Sequence, residues 1–259
     1  MIAGNDPSGA VVRLLGVSRI YGSRFVGPSV RALDRASLEI RPGEFAAVMG
    51  PSGSGKTTLL KLIARIDRPD AGAVLVEGRD ISSLEGDALS DFRRNSIGFV
   101  FQDSALLDTM SIRENIALPL MLSRVPDPES RARAEESARA LGIHGILDRY
   151  PGEVSCGQRQ RAAAARALAV RPALLLADEP TGSLDSKSGR ELLEQFGRLN
   201  AERGTAVLLA THDPFVASWS RRTVFLRDGA VFTEIRSSGD RRSFFNRILE
   251  VQAAMENLP

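Results

Sequence analysis

The chain has 259 residues, 43% of them hydrophobic, enough for one large domain or a domain with an inserted subdomain. Its 34 basic and 32 acidic residues nearly cancel to a net charge of +2; with no long basic run, no nucleic-acid partner is expected. The lone cysteine, Cys156, excludes an internal disulfide and suits a reducing compartment, and no run of about 18 apolar residues is present to span a bilayer.

The opening MIAGNDPSGA lacks a charged region followed by an apolar one, so residues 1–10 read as a disordered lead-in, not a secretory signal. Residues 11–20 (VVRLLGVSRI) read as a first strand, and Leu38-Glu39-Ile40 belongs to another. Tyr21 opens the polar, Gly-containing stretch 21–31 just after the first strand; the residues alone leave open whether it packs at a core edge or stacks on a purine. After a Pro42-Gly43 turn, the apolar run Glu44–Met49 reads as a buried strand. Then comes Gly50-Pro51-Ser52-Gly53-Ser54-Gly55-Lys56-Thr57, which fits G-x-x-x-x-G-K-[ST], and Thr58–Ala64, free of Gly and Pro, reads as a helix.

Strand, glycine-rich loop and helix form the context in which this pattern binds phosphate. Glycines let successive N–H groups point inward at phosphate oxygens, and the helix N-terminus adds partial positive charge. Lys56 reaches the β- and γ-phosphates in such a loop, and the Thr57 hydroxyl ligates Mg²⁺.

Downstream, Gly72–Asp80 reads as a strand ending in a turn, Asp87–Arg94 as a short helix, and Ile97–Phe101 as a strand ending at Gln102. From Ser111 to about Tyr150 the pattern turns helical: IRENIALPLML follows Ser111, and Asp127-Pro128 opens SRARAEESARAL, closed by Gly142. A helical insert interrupting a sheet is expected here. Ser155–Val170 is an Ala- and Arg-rich helix, and Ala173–Glu179 an apolar strand ending in two carboxylates. Ser186–Arg203 is a helix, Ala206–Ala210 a strand ending in Thr211-His212-Asp213, and Val224–Leu226 with Val231–Thr233 a hairpin around Asp228-Gly229. In the terminal helix from Asp240, Phe244, Ile248, Val251 and Met255 fall on one face, which docking on its own domain explains better than a partner groove. Strands alternating with helices imply a mostly parallel sheet with its site at the C-terminal strand ends.

Asp178 is placed to hold the hydration shell of Mg²⁺, and Glu179 to polarise or deprotonate an attacking water. The Gln102 amide could touch metal or water, and His212 could contact a γ-phosphate or orient Glu179. Val154–Arg161 opens a helix with Ser155 and Gly157, an anion site at a helix N-terminus. A chain with one phosphate loop has little need of a second, so this one points to another subunit's nucleotide.

Over roughly residues 11–235 the chain resembles the ATPase subunit of an ABC transporter. Residues 50–57 match the Walker A loop and 174–178 the Walker B strand, with Glu179 as the family's catalytic carboxylate. Gln102 matches the Q-loop, Ser155-Cys156-Gly157-Gln158 the signature, Ser183-Leu184-Asp185 the D-loop, and His212 the switch histidine; Tyr21 matches the aromatic that stacks on adenine. The resemblance implies an α/β P-loop fold with a mostly parallel core sheet and an antiparallel β subdomain. It also implies a helical subdomain at about 103–155 within an ATPase domain of 11–235, followed by a C-terminal helix over 236–259. ATP and Mg²⁺ are implied ligands: Tyr21, Gly50, Ser52, Gly53, Gly55, Lys56, Thr57 and Thr58 from one chain, Ser155, Gly157, Gln158 and Asp185 from a head-to-tail second copy, with Thr57, Gln102 and Asp178 at the metal.

One residue departs from the family pattern: Cys156 stands where the signature has its first glycine. The family's phosphate contacts fall on Ser155 and Gly157, which are kept, so activity is expected. The stretch 178–187, IRENIALPLML and the terminal RRSFFNRILEVQ are similar to ATPases of the bacitracin-export, antimicrobial-peptide-resistance type, in the lipoprotein-release and macrolide-export branch. That implies an integral-membrane permease as partner, with the chain peripheral on the cytoplasmic face. Leu106, Leu107 and Met110, shortly after Gln102, either dock that permease or belong to the insert's own core. The competing reading is a module whose ATP-driven dimerisation signals to a membrane cell-division or sensor complex.

Overall fold

The computed structural model describes residues 9–22 and 29–256. Of the expected lead-in, residues 1–8 lie outside the described residues, while Ala10 is buried. The chain divides into two compact units, one made of residues 1–84 with 208–259 and the other of residues 85–207.

In the first unit, β1 (Val12–Tyr21), β2 (Val30–Ile40), β4 (Ala71–Val76) and β5 (Arg79–Asp80) form an antiparallel sheet in the order β2-β1-β4-β5. This is the expected β subdomain. The turn expected at the end of the Gly72–Asp80 strand falls at Glu77 (φ 49°) and Gly78 (φ 75°), both left-handed, the geometry of a two-residue hairpin turn. The return strand β5 behind it was not expected, because two residues carry no alternation to read.

A second sheet of this unit holds β3 (Phe45–Met49) beside β8 (Ala206–Thr211) and β9 (Arg222–Arg227), with β10 (Ala230–Arg236) at its edge. β3 pairs in parallel with β9, and every residue of β3 is buried, as expected of a strand covered on both faces. The hairpin turn falls at Asp228-Gly229 as its residues announce. The helices are α1 (Lys56–Ile63), the short α7 (Pro214–Ala217) and α8 (Arg241–Glu256). Phe244, Ile248 and Met255 of α8 are buried.

The second unit contains α2 (Gly86–Asn95), β6 (Ile97–Val100), α3 (Ile112–Leu122), α4 (Asp127–Ala140), α5 (Cys156–Ala169), β7 (Leu174–Asp178) and α6 (Ser186–Arg203). β6 and β7 pair in parallel, and α3, α4 and α5 pack on one another as the expected helical part. Ser111 caps α3 in a reciprocal capping box with Glu114. The start of α4 differs from expectation. Asp127 is its first residue rather than its cap, because the chain is still extended at Pro126; the carboxylate of Asp127 instead accepts from Arg131 Nε one turn on (2.9 Å). No helix among the described residues is long and apolar enough to cross a membrane.

Candidate nucleotide site

The phosphate loop links β3 to α1. The chain turns through Gly55, at φ 102°, where a Cβ would lie 2.3 Å from the carbonyl oxygen of Ala32; no side chain is possible there. Inside the loop, the Lys56 ammonium is buried and donates to the carbonyls of Gly50 (2.8 Å) and Pro51 (2.9 Å). The loop is braced from outside by the β9–β10 turn, whose Gly229 N–H donates to the Ser54 carbonyl (3.2 Å). Ser52, Gly53 and Thr57 are exposed, and Thr58 is buried in the first turn of α1.

Tyr21 ends β1 in the same unit. Its hydroxyl donates to Asp67 (2.6 Å), and the Arg19 guanidinium lies 4.6 Å from its ring centroid. Arg19 in turn grips both oxygens of Asp67 (2.9 Å each) and reaches Asp70 (3.2 Å). Partial burial pushes the Asp67 carboxyl up, but the Tyr21 hydroxyl, the Arg68 N–H and Arg19 outweigh it and hold it below the ordinary aspartate range. Asp67 therefore adds stability above its unfolded pKa of about 3.9, and that contribution is lost as the pH falls through its lower folded value. The ring is thus aimed by Arg19 of its own strand and by Asp67, 46 residues away, which the residues of β1 alone could not reveal. Tyr21→Phe, which keeps the ring, should retain most ATP affinity, whereas Tyr21→Ala should lose about 1–3 kcal/mol of stacking. Nucleotide titration by calorimetry separates the two, and parental affinity in Tyr21→Ala would make the ring a packing residue only.

His212, exposed, follows β8. Asp213 behind it caps α7, accepting from the Phe215 N–H (2.8 Å), and its own N–H donates to Thr211 Oγ1 (3.0 Å).

The second unit carries the carboxylates. Asp178, buried, is the last residue of β7. Glu179 follows at φ 44°, a left-handed conformation that costs a non-glycine residue of order 1–3 kcal/mol and is held only where surroundings impose it. The turn is closed by Gly182 N–H donating to the Glu179 carbonyl (3.0 Å). Gln102 belongs to the same cluster: a Cβ placed on Gly182 would lie 3.5 Å from Gln102 Nε2 and 3.7 Å from Glu179 Cβ.

Two residues absent from the sequence reading hold the Gln102 loop from α5. Buried Gln160 donates to the Phe101 carbonyl (2.8 Å), and Arg166 to the carbonyls of Ser104 (3.0 Å) and Ala105 (2.7 Å). Burial pushes the Arg166 guanidinium down. Ser104 and Ala105 are both left-handed (φ 61° and 47°), so the loop is a constrained turn. The polar Gln160 and Arg166 of the Ala-rich helix were the signal that could have pointed there.

At the start of α5, Ser155 and Gln158 form a reciprocal capping box (Gln158 N to Ser155 Oγ, 3.2 Å; Ser155 N to Gln158 Oε1, 2.9 Å). The first N–H groups of a helix have no partner within it, and here the cap takes that of Gln158. A Cβ on Gly157 would lie 3.0 Å from Ser188 Oγ, so any side chain there would press on α6. The Cys156 thiol donates to Ser183 Oγ (3.4 Å), tying the helix start to the loop before α6. Asp185 caps α6 through the N–H groups of Lys187 and Ser188 (3.0 Å each) and the Ser188 hydroxyl (2.7 Å); these bonds hold its carboxyl below the ordinary aspartate range.

A phosphate loop at the end of a buried parallel strand, with a strand ending in two carboxylates, defines the chain as a P-loop nucleotide triphosphatase. The family model described as "ABC transporter" matches residues 33–182. The chain is similar to the Bacitracin export ATP-binding protein BceA of Halalkalibacterium halodurans, 38% identical over 95% of this chain and 97% of that one. It is 45% identical to the Macrolide export ATP-binding/permease protein MacB of Syntrophobacter fumaroxidans over 82% of this chain and 30% of that protein. Among solved structures, it superposes with a TM-score of 0.82 and 38% identity on the dimeric post-hydrolysis state of the ATP-binding cassette MJ0796 bound to ADP and Pi, covering 88% of this chain and 100% of that one. The chain belongs to the ABC transporter family. It is an ABC ATPase, the ATP-binding subunit that energises transport.

Proposed function

We propose that the chain powers export, removal or sensing of an antimicrobial peptide or lipid-linked substrate, as the peripheral ATPase of an integral-membrane permease at the cytoplasmic face of the membrane. The reading rests on the likeness to BceA along nearly the whole chain. The permease is supported by MacB, whose name joins ATP-binding and permease in one protein.

Two copies act head to tail. Each ATP lies between the phosphate loop of one copy and the Ser155–Gln158 helix start of the other. The observation that supports this is a second helix start, capped by the exposed Ser155, of the kind that binds anions. The similar MJ0796 cassette is a dimer with ADP and Pi.

Within the site, Lys56 neutralises phosphate charge, Tyr21 stacks on adenine, and His212 contacts the γ-phosphate. Glu179 takes the proton of the attacking water as its oxygen bonds to the γ-phosphorus and ADP leaves. The protein residues suit Mg²⁺, which favours a few protein oxygens together with phosphates and waters: the Thr57 hydroxyl, the Gln102 amide and Asp178 supply hard oxygens. No cage of three or more His, Cys, Asp or Glu side chains occurs among the described residues. When bound, the ion would offset charge on the β- and γ-phosphates.

The permease is placed on the second unit. Leu107 is exposed while its backbone is clamped by buried Asn115, which accepts from Leu107 N (2.7 Å) and donates to the carbonyls of Leu107 and Met110 (3.0 Å each). Nearby in that unit a cavity of about 390 Å³ is lined by Phe99, Phe101, Leu118 and Leu122, an apolar surface of the kind that marks interaction sites. Affinity-tagged chain recovered from native membranes should bring down one multi-spanning membrane protein, identified by mass spectrometry. Leu107→Glu and Leu122→Glu should lose that protein while keeping the parental circular dichroism spectrum. Undiminished recovery with both variants would remove this surface from the interface.

A further inference from the structure

We infer that Arg19, locked by Asp67 and Asp70, is the positioning residue of the Tyr21 ring, and that it ties the base end of the nucleotide site to the helix of the phosphate loop. The inference rests on the reading that Tyr21 stacks on adenine. All four residues belong to the first unit. Every nitrogen of the Arg19 guanidinium meets a carboxylate. Nε donates to Asp67 Oδ2 (2.9 Å), Nη2 pairs with Asp67 Oδ1 (2.9 Å), and Nη1 donates to Asp70 Oδ2 (3.2 Å). A planar fork held at three points is fixed in its plane as well as its position.

This fixed guanidinium lies over the Tyr21 ring, 4.6 Å from its centroid, a cation–π contact. It covers one face of the ring, so a base stacking there takes the face that Arg19 leaves. The hydroxyl bond from Tyr21 to Asp67 (2.6 Å) is a second hold on the ring; Tyr21→Phe loses that hold and keeps the guanidinium. The two carboxylates are themselves tied to the main chain. Asp70 Oδ2 also accepts from the Ile20 N–H (2.7 Å), and the Asp70 N–H donates to the Ser18 carbonyl (2.9 Å). Asp67 follows the end of α1, and its N–H and that of Ile66 both donate back to the Lys61 carbonyl (3.2 and 2.8 Å). The same helix opens with Lys56, whose ammonium sits inside the phosphate loop. One helix therefore carries the phosphate-binding lysine at its start and the anchor of the base seat just past its end.

The test compares a ligand that has a base with one that has none: calorimetric titration with ATP and with tripolyphosphate, each with Mg²⁺. Arg19→Ala and Asp67→Asn should each weaken ATP roughly fivefold, the order of cost for ordering one side chain on binding, and leave tripolyphosphate binding unchanged. Arg19→Lys keeps a cation beside the ring but not the fork, so it should recover part of the loss. Because Arg19 acts through the ring, Arg19→Ala should cost nothing further in a Tyr21→Ala background. In ATPase assays the loss should fall on KM and not on kcat. The chain has two tyrosines, and Tyr150, in the second unit, serves as an internal control. In tyrosine-labelled protein, Arg19→Ala and Asp67→Asn should displace the ring resonances of Tyr21 and leave those of Tyr150 in place.

Parental Tyr21 resonances in both variants would overturn the inference, as would parental ATP affinity in both where Tyr21→Ala has lost it. Equal losses for ATP and tripolyphosphate in both would also overturn it, since the pair would then only support the fold. So would an undiminished cost of Arg19→Ala in the Tyr21→Ala background. Displaced Tyr21 resonances together with parental ATP affinity in Tyr21→Ala would uphold the positioning and overturn instead the stacking of Tyr21 on adenine.

Discussion

Glu179→Gln is expected to abolish ATP turnover while leaving ATP affinity nearly intact. The substitution removes the group that accepts the proton of the attacking water but keeps the shape of the side chain. General-base catalysis contributes about 10²–10⁴-fold, so residual activity should fall by at least that lower figure. The strained backbone at Glu179 (φ 44°) and its turn to Gly182 do not depend on the carboxylate, so the variant should fold and melt like the parent. With ATP and Mg²⁺ it should accumulate as a dimer on size exclusion, because closure is not followed by hydrolysis. The thiol of Cys156, partly exposed at the start of α5, provides a second readout. An alkylating reagent should label the nucleotide-free protein and block its activity, ATP with Mg²⁺ should slow the labelling, and Glu179→Gln should show the strongest protection. Cys156→Gly should resist the reagent and keep or raise activity. A Glu179→Gln variant within about tenfold of parental turnover would sink the role of general base, and equal labelling with and without ATP would count against the shared-site dimer.

Lys56→Ala should act earlier, on binding itself. A charge-assisted hydrogen bond to phosphate contributes about 1.5–3 kcal/mol, so nucleotide affinity should drop by roughly one to two orders of magnitude. Because the ammonium also satisfies the carbonyls of Gly50 and Pro51 inside the loop, its loss leaves those acceptors to water and should loosen the loop even without nucleotide. Calorimetric titration with a non-hydrolysable ATP analogue gives the first effect. Amide exchange over residues 50–56 gives the second. Parental affinity in this variant would place phosphate binding elsewhere.

The two substitutions also separate stages of the cycle that the family shares. Lys56→Ala should fail to dimerise because it does not hold nucleotide. Glu179→Gln should dimerise and fail to reopen. Opposite outcomes on the same column, from residues more than a hundred positions apart, would tie both to one reaction.

Much of this protein was legible as sequence wherever the controlling interactions are local. The phosphate loop announces itself because its glycines, lysine and threonine act within one turn of chain. The ends of α5 and α6 were readable for the same reason, since Ser155 with Gln158 and Asp185 with Ser188 are partners three residues apart. So was the Asp228-Gly229 turn, where both residues favour left-handed backbone. The buried strands β3 and β7 showed as short apolar runs, because a strand covered on both faces carries no polar alternation.

What only the tertiary structure decided are contacts made at long separation, which no window of sequence displays. Tyr21 is oriented by Asp67, 46 residues away, and the Gln102 loop by Gln160 and Arg166, about 60 residues away. The return strand β5 was hidden because two residues carry no periodicity and only pairing with β4 makes them a strand. The terminal helix could be recognised from its apolar face. That its last turn comes to rest beside the phosphate loop and His212 depends on where the fold buries Phe244 and Ile248. Periodicity gives a helix a face to bury; the shape of the surface that receives it chooses where.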